Sequence, residues 1–477
     1  MSQNRTPPSV AIAGGGLAGL AAACALADSG LRVTLLERRP YLGGRASSYQ
    51  HPGTGEVIDN CQHVLFRVCT NLIEFYRRIG VEDKIRWYDK MTFIEPSGRS
   101  SVMYASPLPA PLHTAPSFLH FPFLSMGDKL AISRAIAALT LTSQPDTGKS
   151  FLQWCHDHGQ PKTAIDRFWK PILVSALSED LDLISISYAA QVVRESMKSP
   201  TARHMGVPSI PLTDLYHRAG EYIRARGGEI LLRTALESFS PDSAQIRIRI
   251  TDPDKKENEK SFDYLILALP FNSVDRVLPD VPDATPLREQ LSCFESCPIT
   301  GIHLWFDRQI TSLDHAVLLD RTVQWMFHKS RLLVTRPVAD SRPGGSYIEL
   351  VVSASKSLID KSRSEIVELA LQEVREFFPA AREAKLVKSA VIKEVHATYS
   401  PRPGIDTHRP PQATEWPRVF LAGDWTSTGW PATMEGAVRS GYLAAEAVIR
   451  AAGVSAPRFV SADLPATGLM RLFRQGW

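Results

Sequence analysis

Three glycines near the N-terminus have the spacing of a phosphate-binding turn. Gly14, Gly16 and Gly19 follow the short apolar run SVAIA and precede a run rich in alanine and leucine, which is typical of a helix. At this spacing Gly14 permits a tight turn, Gly16 lets the backbone approach a pyrophosphate, and Gly19 lets the helix pack on the strand. Glu37 ends the next apolar run, where it can accept hydrogen bonds from ribose hydroxyls. The pattern predicts a dinucleotide site.

A second stretch that can contact phosphate follows at once. Arg38 comes directly after the acidic residue, and Gly43, Gly44 and Arg45 come a few positions later. The fingerprint of nicotinamide dehydrogenases ends at the acidic residue and does not need such a stretch. Its presence suggests a second phosphate contact and therefore a longer cofactor.

The stretch RVFLAGDWTSTGWPATMEGAVRSG near the C-terminus supplies the other half of this site. A strand is predicted to end at Gly423 and Asp424, where a carboxylate can hold ribityl hydroxyls. A helix predicted to begin near Met434 would direct its N-terminus at the edge of a flavin, where negative charge develops on reduction. The two halves together predict FAD, bound non-covalently. The remaining residues assigned to the FAD site are Leu17, Ala18, Leu236, Glu435 and Ala437.

The segments VAIAGGGLAGLAAACAL, LLERRPYLGGRASS and FLAGDWTSTGWPATMEGAVRSG resemble the amine oxidase, phytoene desaturase and protoporphyrinogen oxidase superfamily. Within it, the chain is most similar to the hydroxysqualene dehydroxylase family of bacterial squalene and hopanoid biosynthesis. That likeness lies in DNCQHVLF at 59–66, the proline-rich segment at 108–130 and FWKPILVSALSEDLDLISIS at 168–187. It implies an FAD-dependent oxidoreductase that removes the allylic hydroxyl of hydroxysqualene to give squalene.

The DNCQH segment contains the two candidate catalytic residues. In similar enzymes the segment after GGR runs beside the flavin, and departure of a hydroxyl needs an acid in an otherwise apolar site. The resemblance therefore implies His63 and Gln62, although a purely structural histidine stays an alternative. Cys61 stands where the family has glycine, so its Cβ would reshape the floor under the flavin.

The segment Ser100–Gly127 contains no Asp, Glu, Lys or Arg and is broken by prolines. It is expected to form a lipid-facing lip around a substrate entrance or, alternatively, an apolar loop folded onto the core. The residues expected to contact substrate are Phe118, Phe121, Phe123, Trp169 and Trp430.

Two other functions remain open at this point. Carotene desaturation is the reverse redox reaction on a similar lipid, and the MEGAVRSG ending is also similar to plant-type desaturases, although these lack the DNxQH segment. A prenyl-binding escort protein with this fold would bind lipid without chemistry, but the intact set of FAD residues argues against it. Amine oxidation with a C-terminal cysteinyl flavin is excluded, because no cysteine follows Cys297.

The elements that position these residues are predicted to form two domains of an α/β protein. Three stretches with short apolar strands are assigned to a discontinuous Rossmann-like FAD-binding domain: 1–85, 206–285 and 405–450. The intervening stretches are assigned to a mixed-sheet plus helical substrate domain, which makes that part α+β: 86–205 and 286–404. Residues 451–477 are expected to form a tail, whose GLMRLFRQGW mixes apolar, aromatic and basic side chains as interfacial anchors do.

The composition agrees with a folded protein of more than one domain. The 477 residues are 44% hydrophobic, with a net charge of +4 and no basic runs, which argues against nucleic acid as a partner. Six cysteines without CxxC or zinc spacing are expected to be reduced thiols, and no metal site is expected. By the resemblance, the partners are a long-chain isoprenoid lipid, the membrane surface and upstream enzymes similar to squalene synthase. The expected location is cytoplasmic and peripheral, on the inner face of the membrane.

Overall fold

The computed structural model describes residues 6–142, 144–241, 244–334 and 345–472. The strands of these ranges are β1 (Ser9–Ala13), β2 (Arg32–Glu37), β3 (Ser48–Gln50), β4 (Val57–Asp59), β5 (Leu65–Phe66), β6 (Ile85–Tyr88), β7 (Lys90–Ile94), β8 (Ser100–Tyr104), β9 (Met205–Pro208), β10 (Glu229–Leu232), β11 (Ala235–Pro241), β12 (Ile246–Thr251), β13 (Glu257–Phe262), β14 (Tyr264–Leu267), β15 (Ser296–Phe306), β16 (His315–Leu318), β17 (Trp325–Phe327), β18 (Ser346–Ser353), β19 (Leu386–Tyr399) and β20 (Val419–Leu421).

The α-helices of the same ranges differ widely in length and mostly flank these strands. They are α1 (Leu17–Asp28), α2 (Thr70–Arg78), α3 (Ala115–Leu119), α4 (Met126–Leu141), α5 (Phe151–Asp157), α6 (Lys162–Ala164), α7 (Lys170–Leu177), α8 (Ile186–Met197), α9 (Leu212–Arg224), α10 (Phe271–Val274), α11 (Thr285–Ser292), α12 (Lys329–Leu332), α13 (Arg363–Phe377) and α14 (Met434–Ala451).

A five-stranded parallel sheet has the order β10-β2-β1-β14-β20. Its strands come from three distant parts of the chain, so this layer is discontinuous in sequence. The side chains of β1 alternate between two cores: Val10 and Ile12 pack with α1, α9 and α14, whereas Ala11 and Ala13 pack toward the antiparallel sheet β11-β12-β13. Burial on both faces explains why these strands are apolar runs without polar alternation.

The first and last long helices of this layer lie in close contact. A Cβ added to Gly441 of α14 would come within 2.2 Å of the carbonyl oxygen of Ala18 in α1. Only glycine permits this approach, because any side chain would overlap the backbone of the neighbouring helix. The close approach brings the N-termini of α1 and α14 to the same cavity.

A second, seven-stranded sheet has the order β19-β15-β18-β17-β16-β7-β8. It is mixed, because β16 pairs with β7 in parallel while the other neighbours are antiparallel. Two of its strands come from the stretch 86–205 and five from the stretch 286–404. Helix α13 packs on one face of this sheet, and the other face contributes to the wall of the cavity. The predicted fold class, α/β with a mixed-sheet and helical second part, is confirmed.

The tail is only partly described. Residues 468–472 form a short 3₁₀ turn, and the amide of Leu469 donates to the carbonyl oxygen of Ala110 at 2.8 Å. The last part of the predicted interfacial anchor, residues 473–477, lies outside the described residues. No helix in the described ranges is both long and apolar enough to span a bilayer.

Candidate functional site

One large cavity connects the two sheets. Its volume is about 1050 Å³, which is at the upper end of the ~300–1000 Å³ that ligand pockets commonly span. The wall is formed at one end by Gly14 and Gly16 and at the other by apolar side chains such as Phe118, Phe327 and Val351. A ligand in the nucleotide half and a ligand in the apolar half would therefore share one continuous space.

The glycines of the first turn have three different geometric roles. Gly14 has φ +114°, and a Cβ there would come within 2.3 Å of the Ala268 carbonyl oxygen. A Cβ on Gly19 would come within 1.9 Å of the Gly14 carbonyl oxygen, so the helix packs on the turn only without a side chain. Gly16 instead borders open space, with Gly44 Cα nearest at 3.9 Å. The free space above Gly16 is the space that a pyrophosphate would need.

Helix α1 begins at this free space without a capping side chain. Its N-cap is Gly16, which provides no side-chain acceptor, and both Leu17 and Ala18 line the cavity. The first amides of a helix need acceptors, and a phosphate supplies them. This uncapped N-terminus fits the diphosphate of FAD.

Glu37 lies at the end of β2, in the wall of the same cavity. Its Oε2 accepts from the Gly15 amide at 2.7 Å, and its Oε1 accepts from the Arg39 amide at 2.6 Å. The two amides hold the carboxylate in place, and each oxygen keeps a lone pair for a further donor. Leu236, Arg38 and Gly44 also line this end of the cavity.

The glycine-rich stretch after Glu37 lies on the phosphate turn. The Gly43 amide donates to the Gly15 carbonyl oxygen at 2.9 Å, and Gly43 forms an isolated bridge with Gly16. Arg45 then extends toward the other half of the site, where its Nη2 lies 2.7 Å from Asp424 Oδ1. Although burial disfavours the charge on Arg45, the Asp424 carboxylate raises the pKa of the guanidinium above its ordinary value.

The C-terminal half of the site is the turn between β20 and α14. Gly423 has φ +156°, and a Cβ there would come within 2.4 Å of Trp425 Nε1. Thr433 caps α14 by accepting from the Gly436 amide at 3.1 Å. Met434, Glu435 and Ala437 line the cavity, so the N-terminus of α14 faces it.

Glu435 also joins two helices. Its Oε1 accepts from Asn71 Nδ2 at 2.8 Å, and its Oε2 accepts from the Leu72 amide at 2.9 Å. It thereby satisfies orphan amides in the first turn of α2. Burial raises the pKa of Glu435. The hydrogen bonds that it accepts from Leu72 and Asn71 oppose this rise in part.

The DNCQH segment forms part of the wall between the two halves. His63 Nδ1 lies 2.7 Å from the carbonyl oxygen of Cys61, so Nδ1 carries the proton and Nε2 is an acceptor. Burial lowers the pKa of His63. The neutral imidazole therefore offers an acceptor to the cavity, which differs from the proton donor expected from the sequence. Burial keeps the neighbouring Cys61 a neutral thiol by raising its pKa well above the ordinary value.

A buried cluster of charged side chains, which the sequence did not reveal, fixes the orientation of Gln62. Lys329 Nζ donates to Gln62 Oε1 at 2.7 Å and to Asp59 Oδ2 at 2.6 Å, and it lies 3.4 Å from Glu349 Oε2. Gln62 Nε2 donates to the His63 carbonyl oxygen at 2.9 Å. Because both ends of the amide are engaged, Gln62 shapes the wall and its orientation is fixed.

In the apolar half of the cavity, three of the five predicted substrate contacts are wrong. Phe118 and Trp430 line the cavity, as expected. Phe121 and Phe123 are buried in the core and pack edge-to-face against each other, so they line neither the cavity nor a lip. Trp169 is also fully buried and donates to Gln160 Oε1 at 2.9 Å. Their aromatic character reflects core packing.

The region around Ser100–Gly127 nevertheless exposes apolar side chains. The exposed fractions are 48% for Leu112, 53% for Leu119, 67% for Met126 and 57% for Leu130. Leu112 also lines the cavity, whereas Leu119, Met126 and Leu130 are exposed on the segments that follow it in the chain. We call Leu112, Leu119, Met126 and Leu130 the entrance patch.

Two absences hold for the described ranges. They contain no group of three or more His, Cys, Asp or Glu side chains that could hold a metal ion. All six cysteines lie within them, and none forms a disulfide.

Comparisons with known proteins find similar sequences and similar folds. The profile of the flavin containing amine oxidoreductases matches residues 17–449. The 15-cis-phytoene desaturase of Synechococcus elongatus is 29% identical over 456 residues, which cover 92% of this chain and 95% of that protein. The 15-cis-phytoene desaturase of Solanum lycopersicum is 25% identical over 461 residues, 93% of this chain and 78% of that protein. Cyclohexylamine oxidase from Brevibacterium oxydans superposes with a TM-score of 0.65 at 17% identity, covering 94% of this chain and 99% of that one.

Proposed function

This chain belongs to the flavin containing amine oxidoreductase family, and from that premise we propose that it reduces hydroxysqualene to squalene. The cofactor is FAD, which the phosphate turn, Glu37, Arg45 and Asp424 would hold. One observation supports the proposal most strongly: the nucleotide half and the apolar half are one cavity. A long isoprenoid in the apolar half can therefore reach a flavin in the nucleotide half while it stays in contact with apolar side chains.

The overall reaction combines hydroxysqualene, a hydride and a proton to give squalene and water. FAD in its reduced form supplies the hydride when bound. The apolar wall, which includes Phe327 and Val351, excludes water from the reacting carbon. His63 Nε2 is an acceptor and would orient the substrate hydroxyl, while Gln62 keeps a fixed geometry beside it.

The relatives favour a second candidate, carotene desaturation. Proteins from S. elongatus and S. lycopersicum that match most of this chain are named 15-cis-phytoene desaturases. A desaturase would use the same cavity, but hydride would pass from the hydrocarbon to oxidised FAD. The DNCQH segment is the feature of this sequence that favours dehydroxylation.

Two incubations of the purified holoprotein separate the candidates. In the first, dithionite-reduced protein receives hydroxysqualene without oxygen, and we expect squalene in the extract. In the second, oxidised protein receives phytoene and a quinone, and we expect no new double bond. The Gly16→Val variant serves as the flavin-free control in both. Desaturated phytoene with no squalene would replace the first candidate by the second.

We also propose that the protein works at the inner face of the cytoplasmic membrane, without spanning it. A hydrocarbon of about thirty carbons prefers lipid to water by ~20 kcal/mol, at about 0.8 kcal/mol per buried CH₂. Such a substrate would have to enter from the bilayer. The entrance patch is the apolar surface that supports this docking mode, and direct transfer from an upstream enzyme similar to squalene synthase would use the same entrance.

A further inference from the structure

Arg203 places a positive charge in the wall of the cavity without a balancing carboxylate. It ends the 3₁₀ turn Pro200–Arg203 and lines the cavity together with Met103. Its Nη2 donates to Met103 Sδ at 3.0 Å, and a thioether is a weak acceptor. Among the described residues, no Asp or Glu oxygen lies within 4.0 Å of the guanidinium. Most of its hydrogen-bonding capacity is therefore available.

A second unsatisfied side chain lies near this guanidinium. His113 is fully buried, and neither of its ring nitrogens has a hydrogen-bond partner in the described part of the chain. Burial, and then the nearby charge of Arg203, lower the pKa of His113 to about 4. The ring is neutral at physiological pH, and since it lies behind the cavity wall it offers no carboxylate or other anion that would balance the charge of Arg203.

Three other carboxylates of the cavity have cationic or amide partners of their own. Asp424 pairs with Arg45, and Glu394 accepts from Asn60 Nδ2 at 3.1 Å. Glu195 pairs with Lys198. None of these side chains offsets the charge of Arg203.

An unpaired cation in an apolar wall is unfavourable unless a ligand accepts its hydrogen bonds. Burial lowers the pKa of Arg203 to about 10, so the group is still protonated at neutral pH. A pure hydrocarbon has no acceptor for the guanidinium and would only remove water from it. A hydroxyl or phosphate oxygen accepts hydrogen bonds from the planar fork of an arginine.

We propose that Arg203 recognises an oxygen substituent, either a hydroxyl or a phosphate, on the isoprenoid that occupies the cavity. The proposal rests on the proposed function in taking the ligand to be an isoprenoid. It makes Arg203 a specificity residue that distinguishes oxygenated isoprenoids from hydrocarbons of the same length. Such a residue suits a dehydroxylase better than an enzyme whose substrate is a hydrocarbon.

The test measures binding by the FAD-loaded protein through quenching of tryptophan fluorescence, since Trp325 and Trp430 line the cavity. Two matched pairs of ligands are compared: hydroxysqualene against squalene, and farnesyl diphosphate against farnesol. The variants are Arg203→Met, which removes the charge, and Arg203→Lys, which keeps it. Arg247→Met, an exposed arginine of β12, is the control for general loss of charge. If Arg203→Met yields no soluble flavoprotein, Arg203→Gln replaces it.

The wild type should bind the more oxygenated member of at least one pair about tenfold or more tightly, the size expected for a hydrogen bond to a charged group. Arg203→Met should lose that preference, whereas Arg203→Lys and Arg247→Met should keep most of it. The pair that responds identifies the hydroxyl or the phosphate as the recognised group. A preference that survives in Arg203→Met, or no preference in the wild type, would overturn the proposal.

Failure of the Arg203 proposal and failure of the proposed function would give different results. Squalene production with unchanged discrimination in Arg203→Met would reject the subsite and keep the dehydroxylase. Arg203-dependent discrimination without squalene production would keep the subsite and reject the dehydroxylase.

Discussion

Arg45 Nη2 lies 2.7 Å from Asp424 Oδ1, although 379 residues separate them in sequence. This ion pair joins the two halves of the FAD site. Asp424→Asn should weaken the ion pair and lower the flavin content of the purified protein. The expected loss in the free energy of FAD binding is about 1.5–3 kcal/mol, the size of a hydrogen bond to a charged group. Glu229→Gln, at an exposed position of β10, is the matched control and should keep its flavin. Equal flavin content in the two variants would contradict the assignment of Asp424.

Gly16→Val should give a colourless apoprotein. The space above Gly16 is open toward the cavity, and a branched side chain would fill the position that a pyrophosphate needs. Gly127→Val, at an open position in the first turn of α4, is the control for the cost of valine itself. The measurement is flavin absorbance per protein. A yellow Gly16→Val variant would show that the phosphate does not lie at this turn.

Lys329→Met should destabilise the protein strongly. It would leave Asp59 buried without its cation and Gln62 without its donor, and breaking a buried pair costs ~3–5 kcal/mol. The double variant Lys329→Met with Asp59→Asn should recover part of that loss, because Asp59 then carries no charge. Glu349 also loses its cation, but burial already raises its pKa to about 7, so it can take up a proton. Lys84→Met removes an exposed pair with Asp83 and should cost at most ~1 kcal/mol. Denaturant unfolding would check the series, and a Lys329→Met cost as small as that of Lys84→Met would refute it.

The protein should lose stability as the pH falls below about 6.5, the ordinary pKa of histidine. Burial lowers the pKa of His303 to about 3 and of His315 and His328 to about 4. At pH 7 these groups are neutral in both states, but between pH 6.5 and 4 the unfolded chain binds protons that the folded chain does not. Each group then removes ~1.4 kcal/mol of stability per pH unit.

Melting temperatures between pH 7.5 and 4.5 would check this dependence. His328→Gln removes one of the buried histidines with a lowered pKa, so the loss of stability per pH unit in acid should be smaller than in the wild type. A wild-type melting temperature that stays constant down to pH 4.5 would contradict the expected burial of neutral histidines.

The entrance patch should control membrane binding. Replacing Leu119, Met126 and Leu130 by Ser removes three exposed apolar side chains, each worth about 1.5–3 kcal/mol when fully buried in lipid. We expect wild type to float with anionic liposomes and the triple variant to stay in solution. Val281→Ser with Val395→Ser, two exposed apolar positions elsewhere, is the control. Flotation of the triple variant would exclude this patch, and no flotation of wild type would exclude membrane binding.

The strand, turn and helix around Gly14 could be predicted from the sequence because their signals are local. Glycine spacing, an apolar run and a helix-forming run follow each other within about thirty residues. The same holds for β20 and α14, where the predicted helix start near Met434 agrees with the structure. The assignment of individual FAD contacts still stays a prediction.

The side-chain positions in the apolar half of the cavity were harder to predict from the sequence, because they depend on contacts between distant segments. Phe118, Phe121 and Phe123 lie within six residues, yet only the first faces the cavity. Proline-broken backbone has no period from which the direction of a side chain could be derived. Lys329 and Arg203 were missed for a similar reason, since neither belongs to a local pattern and each acquires its role from partners far away in sequence.

The order of strands in the parallel sheet has a consequence during synthesis. Strand β20, at residues 419–421, is the last to be made and pairs with β14. Until the ribosome has released it, β14 is an edge whose four residues YLIL are all destined to be buried. Such an edge invites pairing with other chains. A nascent chain would therefore need protection from aggregation until nearly its whole length has emerged, and messages truncated before position 419 should yield inclusion bodies instead of a shortened soluble protein.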